Sequence, residues 1–232
     1  MKIVLIGFGE VGKAIYQLIA PHYKDIKIID QKYFDRKEIP KTDILLVTIP
    51  YTETFIHTIK EYQRQAQPKS TIIFSTVPIG ICRSLDASHS PIEGKHPFLY
   101  ESIKKSPRWI GGYNEQVLEF FKPINLVLRL ADKPETTEFL KLRSTTLYGL
   151  NIEFARYSGE VCKNLGIEYE LVKCFDKDYN ELYLSIGLGQ YGRYILDPPQ
   201  GKIGGHCILP NADLLYRQFP DNLIKEILKK NI

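Results

Sequence analysis

KIVLIGFGEVGKAIYQLIAPHYKDIKIID, residues 2–30, decides the fold, because it reads as a strand, a glycine turn, a helix and a second strand. Ile3-Val4-Leu5-Ile6 is short and apolar without polar alternation, as a parallel strand buried on both faces requires. It runs directly into Gly7-Phe8-Gly9-Glu10-Val11-Gly12, after which Ala14, Ile15, Leu18 and Ile19 recur at helical spacing until Pro21. In this pattern Gly7 permits the tight turn, Gly9 lets a pyrophosphate approach the backbone, and Gly12 lets the helix lie close to the sheet. The free N–H groups at the helix start attract phosphate. Ile26-Lys27-Ile28-Ile29 then delivers Asp30 at a strand end, where a carboxylate accepts from both ribose hydroxyls. The stretch therefore predicts a dinucleotide site that takes NAD rather than NADP, with Phe8, Glu10 and Val11 inside the turn. Lys32 and Arg36, just beyond, read as solvated loop charges rather than as partners of a 2′-phosphate.

The same rhythm continues outward. Residues 43–48 and 70–74 are further buried strands, each ending in a turn, at Pro50 and at Ser75-Thr76-Val77-Pro78. Strands alternating with helices predict a doubly wound parallel sheet of six or seven strands, whose ligands sit beyond the strand carboxyl ends. Pro50 and Thr76 are thus expected on the cofactor side. Residues 108–112 and 125–130 supply the last strands, and residues 88–97 read as a surface loop dense in ionisable groups.

From Asp132 the period changes to three- and four-residue steps, through Phe139, Leu142, Leu147, Leu150, Phe154, Tyr157, Val161 and Leu165 to Gly166. A long helix over 133–165 is expected, opened by Pro134 with a capping box of Asp132 and Glu135. The alternative is a break near Gly149. An unbroken helix exceeds what one small domain needs, so it is expected to support a homodimer. The predicted division is a Rossmann-type domain over 1–131 and a smaller helical domain over 132–232. The second domain contains a compact loop over 198–211, rich in glycine and proline.

Composition narrows the class. The chain has 232 residues, of which 44% are hydrophobic, an ordinary share for a globular protein. Its 31 Lys and Arg against 27 Asp and Glu leave a charge of +4, with no basic block to suggest nucleic acid. Apolar runs are too short to span a bilayer, and Met1-Lys2 leads straight into a structural strand, so a cytoplasmic protein is expected. Cys82, Cys162, Cys174 and Cys207 form no C-x-x-C pair, consistent with reduced thiols. His89, Glu93, His96 and His206 with Cys207 match no metal spacing, and no metal site is assigned. His89, Lys95 and His96 could instead present themselves to an anionic substrate.

Five stretches in order resemble the UDP-glucose/GDP-mannose dehydrogenase family. They are the 7–12 glycine turn, Ser75-Thr76-Val77-Pro78, Ile110-Gly111-Gly112, the long helix with Lys141-Leu142, and Gly204-Gly205-His206-Cys207. The resemblance covers residues 1 to about 210; such relatives continue into a second α/β domain, which this chain is expected to lack. It implies oxidation of a nucleotide sugar's primary alcohol to the carboxylate in two hydride transfers to NAD, with a thiol that traps the aldehyde between them; the substrate expected is a small anionic or sugar-derived molecule. Cys207 matches that nucleophile, the alternative being a structural cysteine. Lys141 matches an oxyanion-stabilising lysine. Glu93 stands one residue beyond the position of the family's glutamate after Ser90-Pro91, and Thr145 stands where asparagine is usual. A non-catalytic NAD-binding module that keeps the fold is the alternative function.

Overall fold

The computed structural model of the chain describes residues 1–30, 39–94, 97–204 and 207–229. Lys32, Arg36, Lys95, His96, Gly205 and His206 lie outside the described residues. Two compact units are present, Met1–Leu142 and Arg143–Ile232.

The first unit begins β1 (Ile3–Ile6), α1 (Glu10–Ile19), β2 (Ile26–Ile29), β3 (Ile44–Val47), α2 (Phe55–Ala66), β4 (Ser70–Ile73) and the short α3 (Ile81–Ser84). It continues through β5 (Ser88–His89), α4 (Leu99–Lys105), β6 (Arg108–Gly111), α5 (Glu115–Phe121) and β7 (Leu128–Ala131). The strands form a seven-stranded sheet in the order β2-β1-β3-β4-β5-β6-β7. Both faces are covered, as the apolar strands require. Ile3 and Leu5 pack with Ala14, Ile15 and Leu18 of α1, while Val4 and Ile6 point the other way, into a cluster with Phe55 and Ile59 of α2. Because β2 and β3 flank β1 on opposite sides, the chain reverses direction across the sheet at the end of β1, where such sheets bind ligands.

One pair departs from the parallel pattern. β6 runs antiparallel to β5, with His89 opposite Gly111, whereas the remaining pairs are parallel. The segment containing α4 returns the chain to the carboxyl edge, so Arg108, at the start of β6, stands beyond the end of β5 and reaches the Pro91 carbonyl. Residues 88–92 are also not the surface loop expected. Ser88, His89, Ser90 and Ile92 are buried, because β5 lies inside the sheet between β4 and β6.

α6 (Pro134–Leu165) is continuous over 32 residues and gives its first turns to the first unit. The predicted capping box does not form, since the Glu135 carboxylate binds the Arg83 guanidinium instead. Gly149 does not break α6. A Cβ there would lie 2.8 Å from Ile208 Cγ2, so glycine makes room for a neighbouring helix. That neighbour belongs to the rest of the second unit: α7 (Tyr169–Ser185), α8 (Ile208–Gln218) and α9 (Asn222–Lys229). The loop expected to reach residue 211 therefore ends at Cys207. Pro210 falls in the first turn of α8, where its missing N–H costs no helical bond.

Candidate functional site

The glycine turn has the geometry its sequence implied. Gly7 has φ +92°, a left-handed conformation that favours glycine, and a Cβ there would lie 2.9 Å from Ile49 Cγ2. At Gly12 a Cβ would stand 2.3 Å from the Gly7 carbonyl oxygen, so α1 crosses the turn at a distance only glycine allows. Gly9 is different, because a Cβ there meets nothing within 4 Å among the described residues. It is exposed at the N-cap of α1, beside exposed Glu10. Phe8 and Val11 are half-buried and pack against the core, Phe8 edge-on to Tyr16 at 5.7 Å. The Phe8 N–H donates to Asp30 Oδ2 at 2.6 Å, which fixes the carboxylate at the end of β2 against the turn. An open glycine backbone, a ten-residue helix starting beneath it and a carboxylate on the neighbouring strand fit the diphosphate and ribose of a dinucleotide.

The ends of β3, β4 and β5 are tied together beside this turn. Ser75 Oγ donates to the Ile49 carbonyl at 2.6 Å, joining the turn that carries Thr76 to the turn that carries exposed Pro50. The Ser75 carbonyl lies 3.2 Å from His89 Nε2, and His89 Nδ1 lies 2.9 Å from Thr137 Oγ1. Among the described residues an acceptor faces Nε2, so that nitrogen carries the hydrogen, while the Thr137 hydroxyl beside Nδ1 also donates towards the Pro134 carbonyl at 3.0 Å. His89 is fully buried and neutral, burial pushing its pKa down to about 3. It cannot present a positive charge to a substrate, which corrects the reading of it as an anion-facing residue.

One face of α6 continues the network. Glu138, 0% exposed, accepts from the N–H groups of Gly80 at 2.6 Å and Cys82 at 2.8 Å, and burial raises its pKa above the usual carboxylate value. One turn on, Lys141 Nζ donates to the Ile92 carbonyl at 2.6 Å and lies 3.5 Å from Glu93 Oε1. The Arg108 guanidinium, also buried, donates to the neighbouring Pro91 carbonyl. Burial lowers the Arg108 pKa to about 10. Two cations from separate elements thus hold consecutive carbonyls, and the chain leaves them at Glu93, which is half-exposed.

In the second unit Thr145 Oγ1 accepts from Asn211 Nδ2 at 3.2 Å, and exposed Cys207 stands at the N-cap of α8. Among the described residues, no group of three His, Cys, Asp or Glu could hold a metal ion, and no helix is long and apolar enough to cross a membrane. Sequence reasoning brought Lys141 and Glu93 forward together, but it missed Glu138, Thr137, Arg108 and Asn211. The available signal was helical spacing: Glu138 lies three residues before Lys141, and Asn211 four after Cys207.

No sequence-family model matches the chain, and no curated protein matches it by sequence. Solved structures do match. A UDP-D-ManNAc dehydrogenase from Pyrococcus horikoshii superposes with a TM-score of 0.74 at 16% identity, covering 100% of this chain and 68% of its own. A UDP-glucose dehydrogenase from Pyrobaculum islandicum gives 0.75 at 15%, covering 99% and 67%. The fold is that of the nucleotide-sugar dehydrogenases. It is shared more widely, since a Mycobacterium tuberculosis 3-hydroxyisobutyrate dehydrogenase with L-serine gives 0.73 at 10% identity, covering 98% of this chain and 91% of its own. The resemblance read from the five sequence stretches thus holds at the level of fold.

Proposed function

We propose that the chain is an NAD-dependent oxidoreductase that oxidises a primary alcohol of an anionic or sugar-derived small molecule. The observation that carries this reading is the open Gly9 backbone over α1 with Asp30 fixed beside it, in a sheet whose carboxyl edge also holds Lys141 and Glu93. Gly7, Gly9 and Gly12 with Asp30 hold the cofactor, and the turns at Pro50 and Thr76 flank it; bound NAD supplies the hydride acceptor. Lys141 stabilises the oxyanion of the reacting carbon. Glu93 exchanges protons with solvent, and Thr145 holds the substrate by its hydroxyl. Cys207 adds its thiol to the aldehyde as a thiohemiacetal, which a second oxidation and hydrolysis convert to the carboxylate, releasing the thiol. The free cysteines suit a reducing cytoplasm, and the partner is a second copy of the chain.

A second reading rests on the 3-hydroxyisobutyrate dehydrogenase, 91% of which is covered by this chain at a TM-score of 0.73. Here the product is an aldehyde or ketone of a small hydroxy acid, and Cys207 takes no part. One experiment separates the two: a panel of UDP-sugars and small hydroxy acids is assayed for NADH formation with the wild type, Cys207→Ser and Lys141→Ala. The first reading expects carboxylate formation from a nucleotide sugar that Cys207→Ser abolishes, with Lys141→Ala lowering kcat roughly 10²–10³-fold. Hydroxy-acid oxidation that survives Cys207→Ser selects the second. A rise in Tm with NAD but no turnover on any substrate would leave only a cofactor-binding module.

A further inference from the structure

We infer that Glu138 is a positioning residue for the nicotinamide half of the cofactor, acting through the turn that follows β4. The inference rests on the dinucleotide reading of the glycine turn. Strand order gives the direction in which a bound dinucleotide must run. Asp30 ends β2 and the glycine turn ends β1, so the adenosine half and the diphosphate occupy that side; the other half extends over β3 towards β4. From β2 to β4 is three strand spacings, roughly 14 Å. The far end therefore meets the 75–80 turn, which carries half-buried Thr76.

That turn has no regular structure of its own to hold it. α3, which follows, is only four residues long, and Gly80 at its N-cap has φ +96° with no side-chain cap from its own sequence. The caps come from 58 and 56 residues away, where the two oxygens of buried Glu138 accept from the Gly80 and Cys82 N–H groups. On the same face of α6, Thr137 holds His89, whose other nitrogen holds the Ser75 carbonyl. Both ends of the turn are thereby fixed from the first turns of α6. Lys141, one turn beyond Glu138, is fixed to the Ile92 carbonyl from the same helix. A single rigid element thus sets the cofactor turn and the lysine in register.

The test measures binding of NADH and of ADP-ribose, which lacks the nicotinamide ring, to the full chain and to Glu138→Gln. Glutamine keeps the volume but replaces one acceptor oxygen by an NH₂ that faces a backbone donor. Glu138→Gln is expected to weaken NADH roughly tenfold, the worth of one displaced contact, while ADP-ribose stays within about twofold. Equal loss of both ligands, or loss of neither, overturns the inference while leaving the cofactor reading intact. Failure of the wild type to bind either ligand is the outcome that removes the reading itself. Should Glu138→Gln not fold, Gly80→Ala carries the same comparison, because its added Cβ meets open space and only the left-handed backbone is strained.

Discussion

Two glycines of one motif should respond to the same substitution in opposite ways. Gly12→Ala forces a Cβ to 2.3 Å from a carbonyl oxygen that cannot move without shifting β1, so a loss of about 2–3 kcal/mol in urea unfolding is expected. Gly9→Ala meets no atom, and its φ of −71° suits any residue, so stability should stay within about 0.5 kcal/mol. Dinucleotide binding should nevertheless fall, because the methyl group occupies the space the diphosphate needs. A Gly9→Ala protein that binds NADH as well as the wild type would detach the turn from any cofactor. His89 gives a second residue-scale expectation. Its pKa is near 3 when folded and 6.5 when unfolded, so between those values the unfolded chain binds the extra proton and stability rises with pH. Going from pH 7 to pH 5 should cost about 2 kcal/mol through this group. Glu138, with its raised value, works in the opposite direction, so the His89 share is read as the part of the pH dependence that His89→Gln removes.

At the scale of elements, what could be read in advance depended on how local the cause was. The glycine turn was legible because a left-handed φ and a close helix crossing each demand glycine at a fixed offset from a strand. Pro134 at the start of α6 was legible for a similar reason. The burial of β5 was not, because Ser88-His89-Ser90 looks polar, and only hydrogen bonds to Gly112, Thr137, Ser75 and Trp109 from distant parts of the chain make that burial tolerable. Glu135 and Glu138 show the same limit: sequence suggested a local cap for one and nothing for the other, yet both bind the α3 region more than 50 residues back. The two contacts should differ greatly in weight. Glu138→Ala would leave the buried Cys82 N–H and the part-buried Gly80 N–H without their acceptor and should cost about 2–4 kcal/mol. Arg83→Ala removes only an exposed ion pair and should barely move Tm. Equal effects in thermal unfolding would mean that Glu138 does not anchor α3.

For the whole molecule, the helices of the second unit present large apolar side chains to solvent. α7 runs for 17 residues without one that is buried, although Leu171, Phe175, Leu182 and Leu184 lie along it. Phe154 and Tyr157 of α6 are exposed as well, Phe154 to 69%. An isolated helix of this length is marginal in water, and its stability normally comes from packing an apolar face. Leu171, Phe175 and Leu182 fall on one face of α7 by helical spacing, with Leu184 on the opposite one, and a two-fold axis would let that shared face serve both copies. Sedimentation should accordingly find a dimer. Phe175→Asp together with Leu171→Asp should dissociate it without disturbing the sheet, because both residues belong to the second unit. Mass action supplies the decisive control: Tm of the wild type should rise with protein concentration, and that of the double variant should not. A wild type that sediments as a monomer at every concentration, with α7 amides still protected from exchange, would show that the helix is stabilised within one chain and that the length of α6 serves something other than dimerisation.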